Sequence, residues 1–327
     1  MKAIAITTFG APEVLKLVEQ AQPSPQRGEV LVRVRATAVN RADLLQRAGK
    51  YPAPPDCSQD VPGLEFAGEV AAVGEHAGGW KVGDRVFGLA GGGTYAEYLV
   101  AHGRALAPVP SNLSFAQAAA VPEAFITAYD AMVTQCGLQA GERVLITAVG
   151  SGVGTAAVQI ASAIGAIPYG TARTDDKLKR AEALGMVRGF LSGGNQTYAR
   201  QVMDATGGDG VHLVLELVGG RFVGEDLQCM ATKGRISVVG LLAGAKLEFD
   251  LGALLAKRLT VRGTTLRRRP LEEKLEAAQL LARHLAPLFA NDRLKPIVDK
   301  TFPLDQAADA HAYVEQNKNF GKVVLEV

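Results

Sequence analysis

Apolar and polar residues change rhythm twice along this chain. In "EVLVRVRAT" (29–37), Val30, Val32 and Val34 alternate with Leu31, Arg33 and Arg35. A period of two predicts a strand with one wetter face. Further short apolar runs, "LEFAGEVAAVG", "DRVFGLA" and "TYAEYLVAHG", are separated by Gly and Gly-Asp turns, which predicts a β-rich barrel or sandwich. Near Pro122 the pattern changes. "RVLITAV" (143–149) is apolar throughout, and after it Val153, Ala157, Ile160 and Ile164 recur at helical spacing. "IPYGTA", "DDKLKRAEALG", "VHLVLELV" and "RISVVGLL" continue an alternation of strand and helix, and strands without polar positions belong to a parallel sheet covered on both faces. Beyond about residue 265, "EEKLEAAQLLARHLAPLF" predicts one amphipathic helix, and "KPIVDKTFPL" and "GKVVLEV" predict strands that return to the first region. The fold class expected is α/β, divided as 1–122, 123–264 and 265–327.

The chemistry starts at "VLITAVGSGVGTAA" (144–157), where a strand meets a turn with glycines at 150, 152 and 154 and then a helix. Glycine lets the backbone approach a pyrophosphate, and the helix N-terminus supplies free N–H groups. Ser151 stands in the central glycine's place of the dinucleotide fingerprint, so the expected cradle is Gly150, Ser151, Gly152, Val153 and Gly154. An acid about 20 residues beyond the glycines would take ribose hydroxyls. That position is Ala172, followed by Arg173, Thr174 and Lys177, a set suited to a 2′-phosphate. Asp175 and Asp176 read as first-turn acids that complement a helix dipole. The expected cofactor is therefore NADPH rather than NADH. Gly240, Leu241 and Leu242 end a strand at the edge where open α/β sheets bind ligands.

The chain also resembles a known family. "NRADLLQRAGKYPAPP" (40–55), "PGLEFAGEVAAVG" (62–74), "GDRVFGL" (83–89), "AAAVPEAFITAY" (118–129), "GSGVGTAAVQIA" (150–161) and "NKNFGKVVLEV" (317–327) are similar to the zinc-free, zeta-crystallin-like quinone oxidoreductases of the medium-chain dehydrogenase/reductase superfamily. They look closest to the tumour-suppressor-inducible subgroup, which has "SGVG" where many relatives have "GGVG". The resemblance implies a GroES-like β-barrel catalytic domain built from both chain ends, an inserted doubly wound Rossmann sheet, an NADPH cleft between them and a homodimer formed through Rossmann edge strands. It implies that Tyr51 and Ser151 face the acceptor, that Asn40 lies near the nicotinamide ribose, that Thr127 contacts the nicotinamide and that Lys322 lies near the cofactor. Some relatives set a Tyr against the 2′-phosphate where this chain has Ser192. Asn40 could equally cap the turn "RADLLQR", and Asp43 and Arg47, four apart, read as a helix ion pair.

Zinc-dependent members of the superfamily place ligands where this chain has Asn40, Leu64 and Glu123, of which only Glu123 could ligate, so no metal is expected. Hydride addition to a plain ketone gains from a Lewis acid, whereas a reduced quinone delocalises its charge and needs mainly positioning. The expected reaction is direct hydride transfer to a quinone or other electron-poor acceptor, with reduction of 2-alkenals or enoyl thioesters as the alternative. Solvent is expected to supply the proton, because neither a His nor a buried acid stands out as donor.

Composition narrows partners. The 327 residues carry a net charge of +2, without the basic excess of a nucleic-acid binder; "LRRRP" (266–270) reads as a surface turn. Cys57, Cys136 and Cys229 form no CxxC pair, which fits a reducing, cytoplasmic setting. No run approaches a membrane span. The scattered histidines read as surface or packing residues.

Overall fold

The alternating first region builds a sheet around one long strand. A computed structural model describes residues 1–193 and 196–327, and it divides the chain into unit 1, residues 1–126 and 266–327, and unit 2, residues 127–265. The first division falls inside the helix Pro122–Tyr129.

Unit 1 contains β1 (Lys2–Ile6), β2 (Leu15–Glu19), β3 (Glu29–Val39), β4 (Glu65–Val73), β5 (Arg85–Leu89), β6 (Tyr98–His102) and β7 (Leu106–Pro108). Unit 2 contains β8 (Arg143–Ile146), β9 (Ile167–Ala172), β10 (Arg188–Leu191), β11 (Val211–Glu216), β12 (Met230–Val238) and β13 (Thr260–Gly263). The chain then returns to unit 1 with β14 (Val298–Pro303) and β15 (Lys322–Glu326).

Among the described residues, unit 1 has a seven-stranded sheet in the order β14-β15-β3-β4-β5-β7, with β6 also paired to β3, and a separate β1-β2 ribbon. On one edge of β3, Val32 faces Leu99 of β6 and, further along, Ala38 faces Val324 of β15. Register shifts between Leu31 and Val32 and between Val34 and Ala36 bend β3 along its pairing with β4. Val30, Val32 and Val34 lie in a core with Phe66 and Val86, while Arg33 stays exposed. A second core gathers Ile4, Tyr95, Phe302 and Leu325, so both chain ends are needed to close it.

Unit 2 is a six-stranded parallel sheet in the order β10-β9-β8-β11-β12-β13. The strand order reverses between β8 and β11, the arrangement that opens a ligand-binding crevice at the carboxyl ends of the strands. Val144, Leu145, Ile146, Leu213, Val214 and Leu215 are all fully buried, which is why these segments show no polar alternation.

Three local expectations need correction. The strand at 143–149 stops at Ile146, because Ala148 takes a left-handed φ of 50° and starts the turn. The expected helix at 272–289 is interrupted: Leu271–Leu280 is α-helical, Leu281–Leu285 is a π turn, and Ala286–Ala290 resumes as α. Pro287 has no N–H for the i→i−4 ladder, which accounts for the slip in register. In the turn at 266–270, Arg268 is exposed but Arg267 is buried. Among the described residues, no helix is long and apolar enough to cross a membrane.

Candidate active site

Unit 2 contributes a site made mainly of backbone. Ser151 is the N-cap of the helix Gly152–Ala163, and its hydroxyl oxygen accepts the Gly154 N–H at 3.0 Å. The N–H groups of Gly152 and Val153 donate no hydrogen bond among the described residues. They are the unsatisfied donors that a helix start offers to an anion. Side chains are excluded where the chain passes closest to itself. A Cβ on Gly154 would come within 2.4 Å of the Ala148 carbonyl oxygen, and one on Gly240 within 2.1 Å of that of Leu217. At Gly150 the neighbour is the aliphatic stem of Lys177, 2.7 Å from where a Cβ would stand.

The turn after β8, the end of β9 and the end of β12 all lie on the carboxyl edge of one parallel sheet. Arg173 and Thr174 are exposed just past β9. Thr174 is the N-cap residue of the helix Asp175–Glu182 but makes no side-chain cap, and Asp175 and Asp176 occupy its first turn. Ser192 is buried, and its N–H donates to the Ala172 carbonyl. Leu241 and Leu242 are exposed, and Thr127 is buried on its helix. The structure thus brings Gly150–Gly154 together with Lys177 and sets Arg173 and Gly240 along the same edge.

Unit 1 contributes side chains. Asn40 is the N-cap residue of the helix Arg41–Arg47, and its N–H donates to the Asp43 carboxyl at 2.8 Å. Its amide side chain turns elsewhere: Nδ2 donates to Glu65 Oε1 at 2.8 Å, and Oδ1 accepts from Lys322 Nζ at 2.5 Å. Lys322 Nζ also lies 2.7 Å from Glu65 Oε1 and donates to the Val39 carbonyl at 3.2 Å. Lys322 is therefore a buried cation, not a solvated strand residue; it is 5% exposed and Glu65 is 0% exposed. The other Glu65 oxygen accepts the Glu123 N–H at 2.8 Å.

Asp43 and Arg47 do not form the expected ion pair. The Asp43 carboxyl accepts the N–H groups of Asn40 and Gly63, whereas Arg47 pairs with Glu315 and donates to the Gly10 carbonyl. Both side chains are buried, and each finds a closer partner outside its own helix.

Arg47 and Asp43 are joined instead through His311, which the sequence left as a packing residue. Arg47 Nη1 lies 3.3 Å from His311 Nδ1, and His311 Nε2 lies 3.0 Å from the Tyr95 hydroxyl. A guanidinium only donates, so Nδ1 accepts and a neutral imidazole carries its proton on Nε2. Tyr95 then receives from His311 and donates to Asp43 Oδ2 at 3.4 Å. Burial holds His311 near a pKa of about 3, with Arg47 adding to the effect. Burial raises Asp43 to about 6, against the opposing Asn40 N–H and the charges of Arg267 and Lys322.

Tyr51 is half-buried in its loop. The Arg267 and Arg268 guanidiniums each lie 5.4 Å from its ring centre, and its carbonyl accepts from Arg267. Arg267 also donates to the Gly91 carbonyl and the Gln46 side chain, so it ties two loops to the helix Arg41–Arg47.

Glu123, half-buried at the start of its helix, is the acid next to Glu65 in unit 1. Burial pushes this carboxyl up to about 8, and the neighbouring Glu65 adds to the rise. Glu65 was overlooked in the sequence because it opens an apolar strand and reads as its solvated first residue. A lone acid inside "PGLEFAG" and a lone lysine beginning "KVVLEV" are the signals that could have paired it with Lys322.

Residues 152–283 match the family model described as zinc-binding dehydrogenase, and residues 26–111 match that of the alcohol dehydrogenase GroES-like domain. A quinone oxidoreductase of Homo sapiens is 33% identical over 330 residues, covering 99% of this chain and 97% of that protein. Escherichia coli quinone oxidoreductase, solved in complex with NADPH, superimposes with a TM-score of 0.89 at 29% identity over 100% of each chain. An NAD-dependent alcohol dehydrogenase superimposes with a TM-score of 0.88 at 32% identity, again over 100% of each chain.

Proposed function

Because the chain belongs to the quinone oxidoreductase family of the medium-chain dehydrogenase/reductase superfamily, we propose that it reduces quinones with NADPH. The observation that carries the cofactor reading is the edge beyond β9, where Arg173 and Lys177 stand and the residue closing the strand is Ala172 rather than an acid. The residues present fit the cofactor. The free N–H groups of Gly152 and Val153 suit a pyrophosphate, the closely packed backbone at Gly154 and Gly240 keeps side chains out of its way, and Arg173, Thr174 and Lys177 suit a 2′-phosphate. When bound, NADPH would supply a hydride, which is one proton with two electrons.

The other roles belong to this chain's own groups. Ser151 uses an oxygen lone pair on Gly154, which leaves its O–H able to donate to an acceptor oxygen. Tyr51 offers a ring face steadied by two guanidiniums. Thr127, Leu241 and Leu242 are assigned to the nicotinamide end of the cofactor. Asn40 and Lys322 hold each other and Glu65, which fixes the polar floor of unit 1.

The zinc named in one matching family description does not fit this donor set. The ammonium of Lys322 already lies within hydrogen-bond distance of Asn40 Oδ1 and Glu65 Oε1, and a fixed cation there repels a second. Among the described residues, no group of three or more His, Cys, Asp or Glu is arranged to hold a metal ion.

The homodimer is part of the same reading. It is supported by the exposed edge strand β13 and by Leu251 and Leu255, which are 69% and 78% exposed. Sedimentation of the purified chain tests it.

The activity test is NADPH oxidation with 1,2- and 1,4-quinones against 2-alkenals, repeated with NADH. The expected outcome is quinone turnover with a kcat/KM preference for NADPH that Arg173→Ala lowers by about tenfold, the loss of one exposed charge-assisted contact. Replacing Tyr51 and Ser151 together lowers kcat/KM for quinones while NADPH affinity stays nearly unchanged. Faster turnover of alkenals, or an equal preference for NADH, overturns the assignment.

A further inference from the structure

Two carboxyl groups meet in unit 1, and only one of them is paired. Glu65 accepts from Asn40, Lys322 and the backbone of Glu123. The Glu123 carboxyl makes no hydrogen bond among the described residues, although its own N–H is the one held by Glu65. The charged groups that face it come from four elements: Glu65 on β4, Lys322 on β15, Asp43 on the helix Arg41–Arg47 and Arg267 in the turn at 266–270. Burial outweighs the two cations, and Glu65 and Asp43 add to the rise, so Glu123 holds its proton up to about pH 8.

Glu123 also lines a cavity of about 600 Å³ within unit 1. Leu64, Leu89, Leu266 and Leu275 contribute apolar walls, and Glu29, Asp56, His102, Arg267 and Lys274 line it as well. The Arg267 guanidinium is already committed to Gly91, Gln46 and Tyr51. A chamber with leucine walls and a neutral acid suits an uncharged, flat, apolar carbonyl compound.

We propose that this cavity receives the quinone and that Glu123 is the catalytic residue that protonates it. The inference rests on the quinone-reductase reading above and gives that reaction its missing acid. Hydride addition leaves the quinone two electrons richer, as a hydroquinone monoanion. The O–H bond of Glu123 breaks, an O–H bond forms on the anionic oxygen, and the neutral hydroquinone leaves. Glu123 remains as a carboxylate and regains its proton from solvent before the next turnover.

The experiment measures kcat with an uncharged quinone against pH for the wild type, Glu123→Gln and Glu123→Asp. It is paired with infrared difference spectra of the unliganded protein between about pH 7 and about pH 9. Expected for the wild type is a kcat that declines above about pH 8 and a carboxylic-acid band that disappears over the same interval. Glu123→Gln lowers kcat by about tenfold or more, flattens the pH profile and lacks the band, while Glu123→Asp keeps a bend in the profile at reduced rate. The glutamine is close in size to the acid, and circular dichroism checks that each variant is folded. An unchanged kcat and bend in Glu123→Gln, or an unchanged infrared band, overturns the assignment of Glu123 while leaving quinone reduction intact. A wild type that oxidises NADPH with no quinone overturns the function and this step with it.

Discussion

The two units of this molecule prepare for chemistry in opposite ways. Unit 2 does it with a contiguous piece of backbone, residues 148–154, whose value lies in atoms that are not there. Unit 1 does it with side chains from positions 40, 65 and 322, whose polar atoms are held away from water and answered by one another. The first arrangement is damaged by adding a methyl group, the second by removing an ion. Conserving size or conserving charge therefore means different things in the two halves of the protein.

The sharpest way to break this contrast is Lys322→Met. Glu65 is 0% exposed and would lose its ammonium partner. Stranding a buried carboxylate costs about 3–5 kcal/mol, so thermal unfolding should shift downward strongly; a change within about 0.5 kcal/mol would mean that unit 1 does not depend on that pair. In unit 2, Gly154→Ala forces a Cβ against the Ala148 carbonyl and the Val149 Cα. Overpacking of this kind costs about 1–3 kcal/mol, and the displaced turn should weaken NADPH binding by about tenfold in a titration. An unaltered Kd would remove the turn from the nucleotide site.

The finest test is the pH dependence of stability. Glu123 is raised from 4.5 to about 8, so its contribution is full below the unfolded value and is lost as pH rises through about 8. His311 is lowered from 6.5 to about 3, so its contribution is full above 6.5 and is lost as pH falls through about 3. Denaturant unfolding should therefore show Glu123→Gln removing a fall in stability of about 1 kcal/mol per pH unit between about pH 4.5 and about pH 8. A variant that keeps the wild-type slope over that interval would reassign the titrating group.

The same contrast decides what the sequence reveals. The glycine turn, the strand before it and the helix after it are neighbours along the chain, so periodicity and spacing are enough to find them. The first-turn position of Asp175 and Asp176 is local in the same sense and is legible for the same reason. Glu65 and Lys322 are ordinary residues in ordinary local patterns, and only the pairing of β3 with β4 and β15 brings them together. The expected Asp43–Arg47 pair failed because helical spacing says who can meet, whereas burial decides who must be satisfied. Tyr51 and Arg267 are brought together by a loop-to-loop tie that no period in the sequence encodes.

One consequence of the Lys322–Glu65 pair concerns synthesis. Chains leave the ribosome from the amino end, and domains fold as units as they emerge. Unit 2 is one uninterrupted segment and can fold while translation continues. Glu65 emerges early and waits for its counter-ion until β15 follows, so the half of the protein begun first is the half finished last.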